Sequence, residues 1–217
     1  MTISDSTVAI IGIGNVGSTL AANFAAGGQD FLLAGRDLEA ARKLASTFDG
    51  HAEAVSIDEA VDRADVLVLA VWLDAFRQLI GQYGDRLAGK VIVDPTNPVA
   101  PDGNGGFRKV IGEQESSGQI LAGLLPAGSR LVKAFGTLSA GTLAAAARQQ
   151  PELAVEFYAA DNGAAGDVVA ELIRAGGYEP VRVGGLDQSI RIEVFGDLHE
   201  FGALGRAVTK PEALAAI

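Results

Sequence analysis

The run TVAIIGIGNVG, Thr7 to Gly17, passes from an apolar stretch straight into a glycine turn. Val8 to Ile11 read as a short buried strand that Gly12 stops, and Gly14 and Gly17 complete a G-x-G-x-x-G spacing. Leu20, Ala21, Ala22, Phe24 and Ala25 follow at once and favour helix. In that strand–turn–helix context the spacing has a mechanism. Gly12 permits the tight turn, Gly14 lets a pyrophosphate approach the backbone, and Gly17 lets helix and strand pack closely. The N–H groups at the helix start are free to hold phosphate oxygens. The turn Gly12, Ile13, Gly14, Asn15, Val16, Gly17 is therefore expected to bind a dinucleotide. The competing reading of the same residues is an ordinary glycine-rich turn.

Working outward, strands and helices alternate. Phe31 to Ala34 reads as a second strand, and Leu38, Ala41, Leu44, Ala45 and Phe48 mark an amphipathic helix after it. Ser56 followed by Glu59 reads as a helix cap. Ala64 to Val71 is apolar with one charge near its start, as expected of a central parallel strand covered on both faces. Leu73–Tyr83 reads as helix, Lys90–Val93 as strand, and Val99–Phe107 (VAPDGNGGF) as a long irregular loop. Beyond it come a helix over Ser117–Leu125, a strand over Arg130–Phe135, and an Ala-rich helix to Arg148. The last third repeats the rhythm: strand Leu153–Ala159, helix Ala164–Ala175, strand Glu179–Val183, and one more helix over Leu186–Phe195. The expected fold is α/β and Rossmann-like, a doubly wound, mainly parallel sheet with a small C-terminal α/β extension. Residues 1–217 are expected to form one domain, with a smaller lobe over 127–217 as the alternative division.

Composition narrows the function. Seventeen basic against twenty-seven acidic residues give a net charge of −10, which argues against nucleic acid or an anionic membrane as partner. A phosphate-bearing cofactor would need local basic groups instead. Cysteine is absent, so disulfides, thiolate metal sites and a Cys nucleophile are excluded. His51 and His199 lack any zinc spacing, so no metal site is expected. The polar start MTISDST leaves no room for a signal peptide, and the longest apolar run is too short to cross a bilayer. The expectation is a soluble, cytoplasmic protein.

An NAD-binding unit carries an acid at the end of its second strand for the ribose 2′-OH. Here Gly35 and Arg36 stand there. An arginine can pair with a 2′-phosphate, so NADP is favoured over NAD. Asp37 is read as a helix cap. For the chemistry, no Tyr-x-x-x-Lys pair exists, Lys133 and Lys90 are read as solvated, and His199–Glu200 sits in a polar tail. No catalytic acid or base is assigned. The strand ends offer Trp72, Thr96, Asn97, Pro98 and Gly136 to Ala140, groups that shape a site and position rings. That suits hydride transfer between two redox cofactors, which themselves carry the chemistry.

The combination GIGNVG, AGRD, VLAVW, VDPTNPV and VKAFGTLSA is similar to the coenzyme F-420-dependent NADP oxidoreductase family, a domain shared with six-transmembrane metalloreductases. The resemblance runs from Val8 to about Gly185. It implies that Gly35 and Arg36 bind the 2′-phosphate, and that Val71, Trp72, Leu138, Ser139 and Ala140 border the nicotinamide. It also implies an acceptor, coenzyme F-420 or FMN or FAD, against Asn97, Pro98 and the Ala140 region, and a homodimer. Gly136 stands where relatives carry Asn or His, and Ile13 where some carry Thr. For Gly136 the expectation is loss of a side chain that could meet the acceptor. Two further readings stay open: an NADP-dependent reductase of a small carbonyl or imine, and a non-catalytic NADP-binding sensor.

Overall fold

The computed structural model describes residues 2–217, with Met1 outside the described residues. After a single 3-10 turn at Ile3–Asp5, β1 (Val8–Ile11) enters the middle of an eight-stranded sheet. It lies between β2 (Phe31–Ala34) and β4 (Val66–Leu69), both parallel to it. Beyond β2 the sheet ends in β3 (Ala52–Val55), and beyond β4 it continues through β5 (Val91–Asp94). The strand order therefore reverses between β1 and β4, and ligands of such sheets lie in the crevice at that reversal.

The side-chain period of a strand explains why both faces need cover. Val8 and Ile10 enter one core with Leu20, Phe24 and Ile173, while Ala9 and Ile11 enter another with Phe76, Ile80 and Leu121. The first core is roofed by α1 (Asn15–Ala26) and α7 (Gly163–Ala175), the second by α4 (Leu73–Tyr83) and α5 (Ser117–Leu124). Each such large side chain, fully buried, contributes about 1.5–3 kcal/mol. Local signals start the smaller helices. Asp37 Oδ1 accepts from Ala40 N at 3.0 Å and caps α2 (Leu38–Ala45), as the cap reading expects. Ser56 and Glu59 form a reciprocal capping box at α3 (Ile57–Arg63).

Two expectations are corrected. Val99–Phe107 is not irregular: β6 (Val99–Pro101) and β7 (Phe107–Lys109) pair antiparallel, and Asp102 Oδ1 accepts from Asn104 N and Gly106 N to close the glycine tip. The 186–195 segment is only a 3-10 turn and α8 (Ser189–Ile192), after which Glu193 is extended and the chain continues in turns. Glu193 causes the break, since its carboxylate is drawn to the amides at the start of α5.

The last part of the sheet departs from parallel. β8 (Arg130–Lys133) pairs parallel with β5, β9 (Val155–Ala160) runs antiparallel to β8, and β10 (Glu179–Gly184) runs parallel to β9. The antiparallel turn brings the N-terminal half of β9 to the same edge as the C-terminal ends of β1, β4, β5 and β8. Between β8 and β9 lies α6 (Ala140–Ala146), and α9 (Lys210–Ala216) closes the chain. Among the described residues no helix is long and apolar enough to cross a membrane.

Candidate functional site

The expected site residues converge on one edge of the sheet. Gly12–Gly17 follow β1, Gly35 and Arg36 follow β2, Val71 and Trp72 follow β4, Asn97 and Pro98 follow β5, and Leu138 to Ala140 follow β8. The glycine turn behaves as its spacing requires. Gly12 has φ +116, and a Cβ on Gly12 or Gly17 would collide with the Ala70 carbonyl or the Gly12 carbonyl. A Cβ on Gly14 would meet nothing within 4 Å, so that position faces open space at the start of α1. No side chain caps α1, which leaves its first N–H groups free for an anion.

At the end of β2 the Ile13 side chain lies over Gly35, 3.1 Å from where a Cβ there would stand. Arg36 is exposed and, among the described residues, has no hydrogen-bond or ion-pair partner, whereas Asp37 is occupied as a cap. A free guanidinium beside an uncapped helix start suits a phosphate-bearing ligand. Across the crevice Trp72 is 60% exposed, and Asn97, Ser139 and Ala140 are half-buried. Pro98 and Leu138 are buried, so their part is to shape the rim from beneath.

The turn after β8 is strained and held. Phe135 has φ +61, costing roughly 1–2 kcal/mol in an L-residue, and its ring is buried edge-on to Phe24 at 5.7 Å. Asn97 Nδ2 donates to the Gly136 carbonyl at 2.9 Å, and Asn97 Oδ1 accepts from Val194 N at 2.7 Å. Both ends of this amide are therefore used by backbone. Gly136 has a packing reason of its own. A Cβ at 136 would point at the Pro95 carbonyl, 3.3 Å away, so the glycine permits close approach of two loops.

The sequence reading missed what lies beneath. Lys133 is not solvated: it is 1% exposed and paired with Asp94 at 2.8 Å. His199 and Glu200 are not in an open tail, being 1% and 8% exposed. Glu200 N donates to Thr137 O at 3.1 Å, and Glu200 Oε1 accepts from Ser139 N. His199 Nδ1 accepts from Phe201 N at 2.9 Å, which puts the ring proton on Nε2. Burial pulls the imidazole down to about 4, partly opposed by the Glu200 carboxylate and the Gly136 carbonyl. Glu156, fully buried on β9, meets Thr137 Oγ1 at 2.7 Å and leaves Oε1 without a partner. Desolvation pushes its carboxyl up to about 8, with Thr137 opposing and Glu200 reinforcing. One signal was readable: Glu156 is the lone charge in the apolar run Leu153–Ala160. Among the apolar residues of the tail, Ile192 and Val194 are buried, while Phe195 and Phe201 are exposed. Among the described residues no cluster suits a metal ion.

Residues 7–98 match the family described as "NADP oxidoreductase coenzyme F420-dependent". The F420-dependent NADP reductase of Methanothermobacter thermautotrophicus is 31% identical over 197 residues, which is 86% of this chain and 84% of the relative. The hypothetical protein SMa0349 from Sinorhizobium meliloti superposes with a TM-score of 0.82 at 30% identity, covering 95% of this chain and 97% of that one. A putative F420-dependent NADP reductase from Arthrobacter sp. FB24 shares the fold, with a TM-score of 0.72 at 22% identity over 93% of this chain and 96% of that one.

Proposed function

The chain belongs to the coenzyme F420-dependent NADP oxidoreductase family, and from that premise we propose that it moves hydride between NADPH and a deazaflavin or flavin-like acceptor with no protein acid or base in the step. It is an NADP-dependent oxidoreductase. When bound, NADP(H) supplies the hydride-carrying ring.

The chain's own part is binding and orientation. The amides of Gly14 to Gly17 hold the pyrophosphate, with Ile13, Asn15 and Val16 shaping the turn. Arg36 pairs with the 2′-phosphate beside Gly35. Val71, Trp72, Ser139 and Ala140 border the nicotinamide over buried Leu138. Asn97, supported from beneath by buried Pro98, forms the wall against which the acceptor ring lies. Holding two rings face to face converts their encounter into an effectively intramolecular one.

The observation that carries this reading is the contrast between rim and floor. The rim is made of backbone, small residues and an exposed indole, while Lys133, Asp94, Glu156, Glu193 and His199 are all buried in protein contacts. A carbonyl or imine reductase needs a proton donor within reach of its substrate. The test is direct: NADPH mixed with the protein and coenzyme F-420, or FMN, should lose absorbance at the nicotinamide band. Tight NADPH binding with no turnover of any flavin or deazaflavin would overturn the acceptor assignment.

A further inference from the structure

The floor of the crevice contains an ammonium group with no part in the binding just described. Lys133 Nζ donates to Asp94 Oδ2 at 2.8 Å, to Ser117 Oγ at 3.0 Å and to the Thr96 carbonyl. Glu193 Oε1 stands 3.7 Å away. These partners lie on separate segments: the turn after β5, the start of α5 and the tail after α8. Asp94 Oδ1 accepts from Thr96 N at 2.8 Å and Thr96 Oγ1 at 2.6 Å, which fixes the turn leading to Asn97. Glu193 accepts from Ser116 Oγ at 2.8 Å, Ser117 Oγ at 2.9 Å, and the amides of Ser117 and Gly118. The next residue, Val194, is the one whose N–H reaches Asn97.

We propose that Lys133 is a positioning residue for hydride transfer. From the floor of the sheet it sets where the Asn97 turn and the 193–201 tail stand against the turn after β8. The proposal rests on the reading of that rim as the acceptor's place. Its physical basis is direction. A buried ion pair adds little net stability over apolar side chains of the same volume. Three N–H bonds leaving one nitrogen, however, tie the end of β5 and its turn to the start of α5, whose hydroxyls and amides in turn hold Glu193 of the tail, and an apolar side chain cannot do that. The Rossmann half that would hold NADPH shares none of these contacts, so cofactor affinity and acceptor kinetics should separate.

The informative variant is the double substitution Lys133→Met with Asp94→Asn, which removes one charge of each sign and leaves Glu193 to the Ser116 and Ser117 hydroxyls and the two amides that already hold it. Ser117→Ala is the milder variant, removing one acceptor of the ammonium while both charges stay paired. Three quantities are read: NADPH affinity, KM and kcat with coenzyme F-420, and amide hydrogen exchange at Val194 and Glu200. The expectation is NADPH affinity within about twofold, an acceptor KM raised or kcat lowered on the order of tenfold or more, and faster exchange at both amides. Ser117→Ala should move the same quantities in the same direction by less. A purely structural lysine would lower the active fraction and leave KM and exchange in the folded protein unchanged; that outcome in both variants overturns the proposal. Should the native chain turn over no deazaflavin, the acceptor reading fails by itself. The exchange measurement then decides the role of Lys133.

Discussion

The side-chain amide of Asn97 and the carbonyl of Gly136 are joined at 2.9 Å, and that bond closes the gap between the loop after β5 and the turn after β8. The contact is close because position 136 has no side chain. Its hydrogen faces the Pro95 and Thr96 carbonyls, at 3.3 and 3.6 Å from where a Cβ would stand. Gly136 and Asn97 therefore work as a pair.

Substituting Gly136→Asn should force this pair apart. Crowding a packed contact costs typically 1–3 kcal/mol, and the Asn97 bond is the softest thing to give way. A lower melting temperature and a weaker acceptor KM are expected, with NADPH affinity unchanged. Asn97→Leu should act alike, since it leaves the Gly136 carbonyl and the Val194 amide unpaired, roughly 1–3 kcal/mol for a buried group. Thermal melts and steady-state kinetics on both variants check this. A Gly136→Asn protein with native stability and native acceptor KM would contradict it.

The three motif glycines should separate by experiment. Gly14→Ala places a methyl group in open space, so the fold should keep its stability while NADPH binding weakens, because that space is where a pyrophosphate would come. Gly17→Ala drives a methyl into the Gly12 carbonyl and should destabilise the whole chain. Melting curves with and without NADPH distinguish the two: the ligand-induced rise should be lost in Gly14→Ala only through affinity. Equal destabilisation of both apoproteins would remove the functional distinction between these glycines.

Arg36 is exposed and free of protein partners, so its removal should leave stability within a few tenths of a kcal/mol. Arg36→Ala should weaken NADPH by roughly 10- to 100-fold, the worth of a charge-assisted bond, and NADH hardly at all. Direct binding titration of both nucleotides gives the answer. Equal losses would mean that Arg36 does not read the 2′-phosphate.

Most of this sheet was legible in the sequence because its strands are buried on both faces and read as unbroken apolar runs. The glycine turn, Asp37 as cap and the Ser56–Glu59 box were legible because they are local. What escaped is non-local. Lys133 looked like a solvated lysine because only Asp94, thirty-nine residues earlier, and Glu193 in the tail reveal why an ammonium can be buried there. His199 and Glu200 looked polar and open because the turn that covers them lies some sixty residues upstream. The β6–β7 hairpin was hidden for a different reason. Its strands are three residues long and bury no residue fully, so no apolar alternation marks them.

Glu156 and His199 together predict an asymmetric pH profile for stability. Glu156 keeps its proton in the folded chain to about pH 8, against an ordinary value of 4.5, so unfolding releases a proton between those limits. Stability should therefore fall as pH rises across that window, by at most about 1.4 kcal/mol per pH unit. His199 runs the other way. Its imidazole stays neutral in the folded chain down to about pH 4, against an ordinary 6.5, so unfolding takes up a proton between these values and stability falls as pH drops. Between pH 4.5 and 6.5 the two slopes oppose each other, and from 6.5 to 8 Glu156 acts alone. Melting temperatures taken across pH 5 to 8.5 should show a decline concentrated in that upper interval. Glu156→Gln, which can still hydrogen-bond Thr137, should flatten it. His199→Gln should instead extend the decline to lower pH. An unchanged upper slope in Glu156→Gln would place the titrating group elsewhere, and would leave the buried carboxyl beneath Thr137 without influence on the turn it supports.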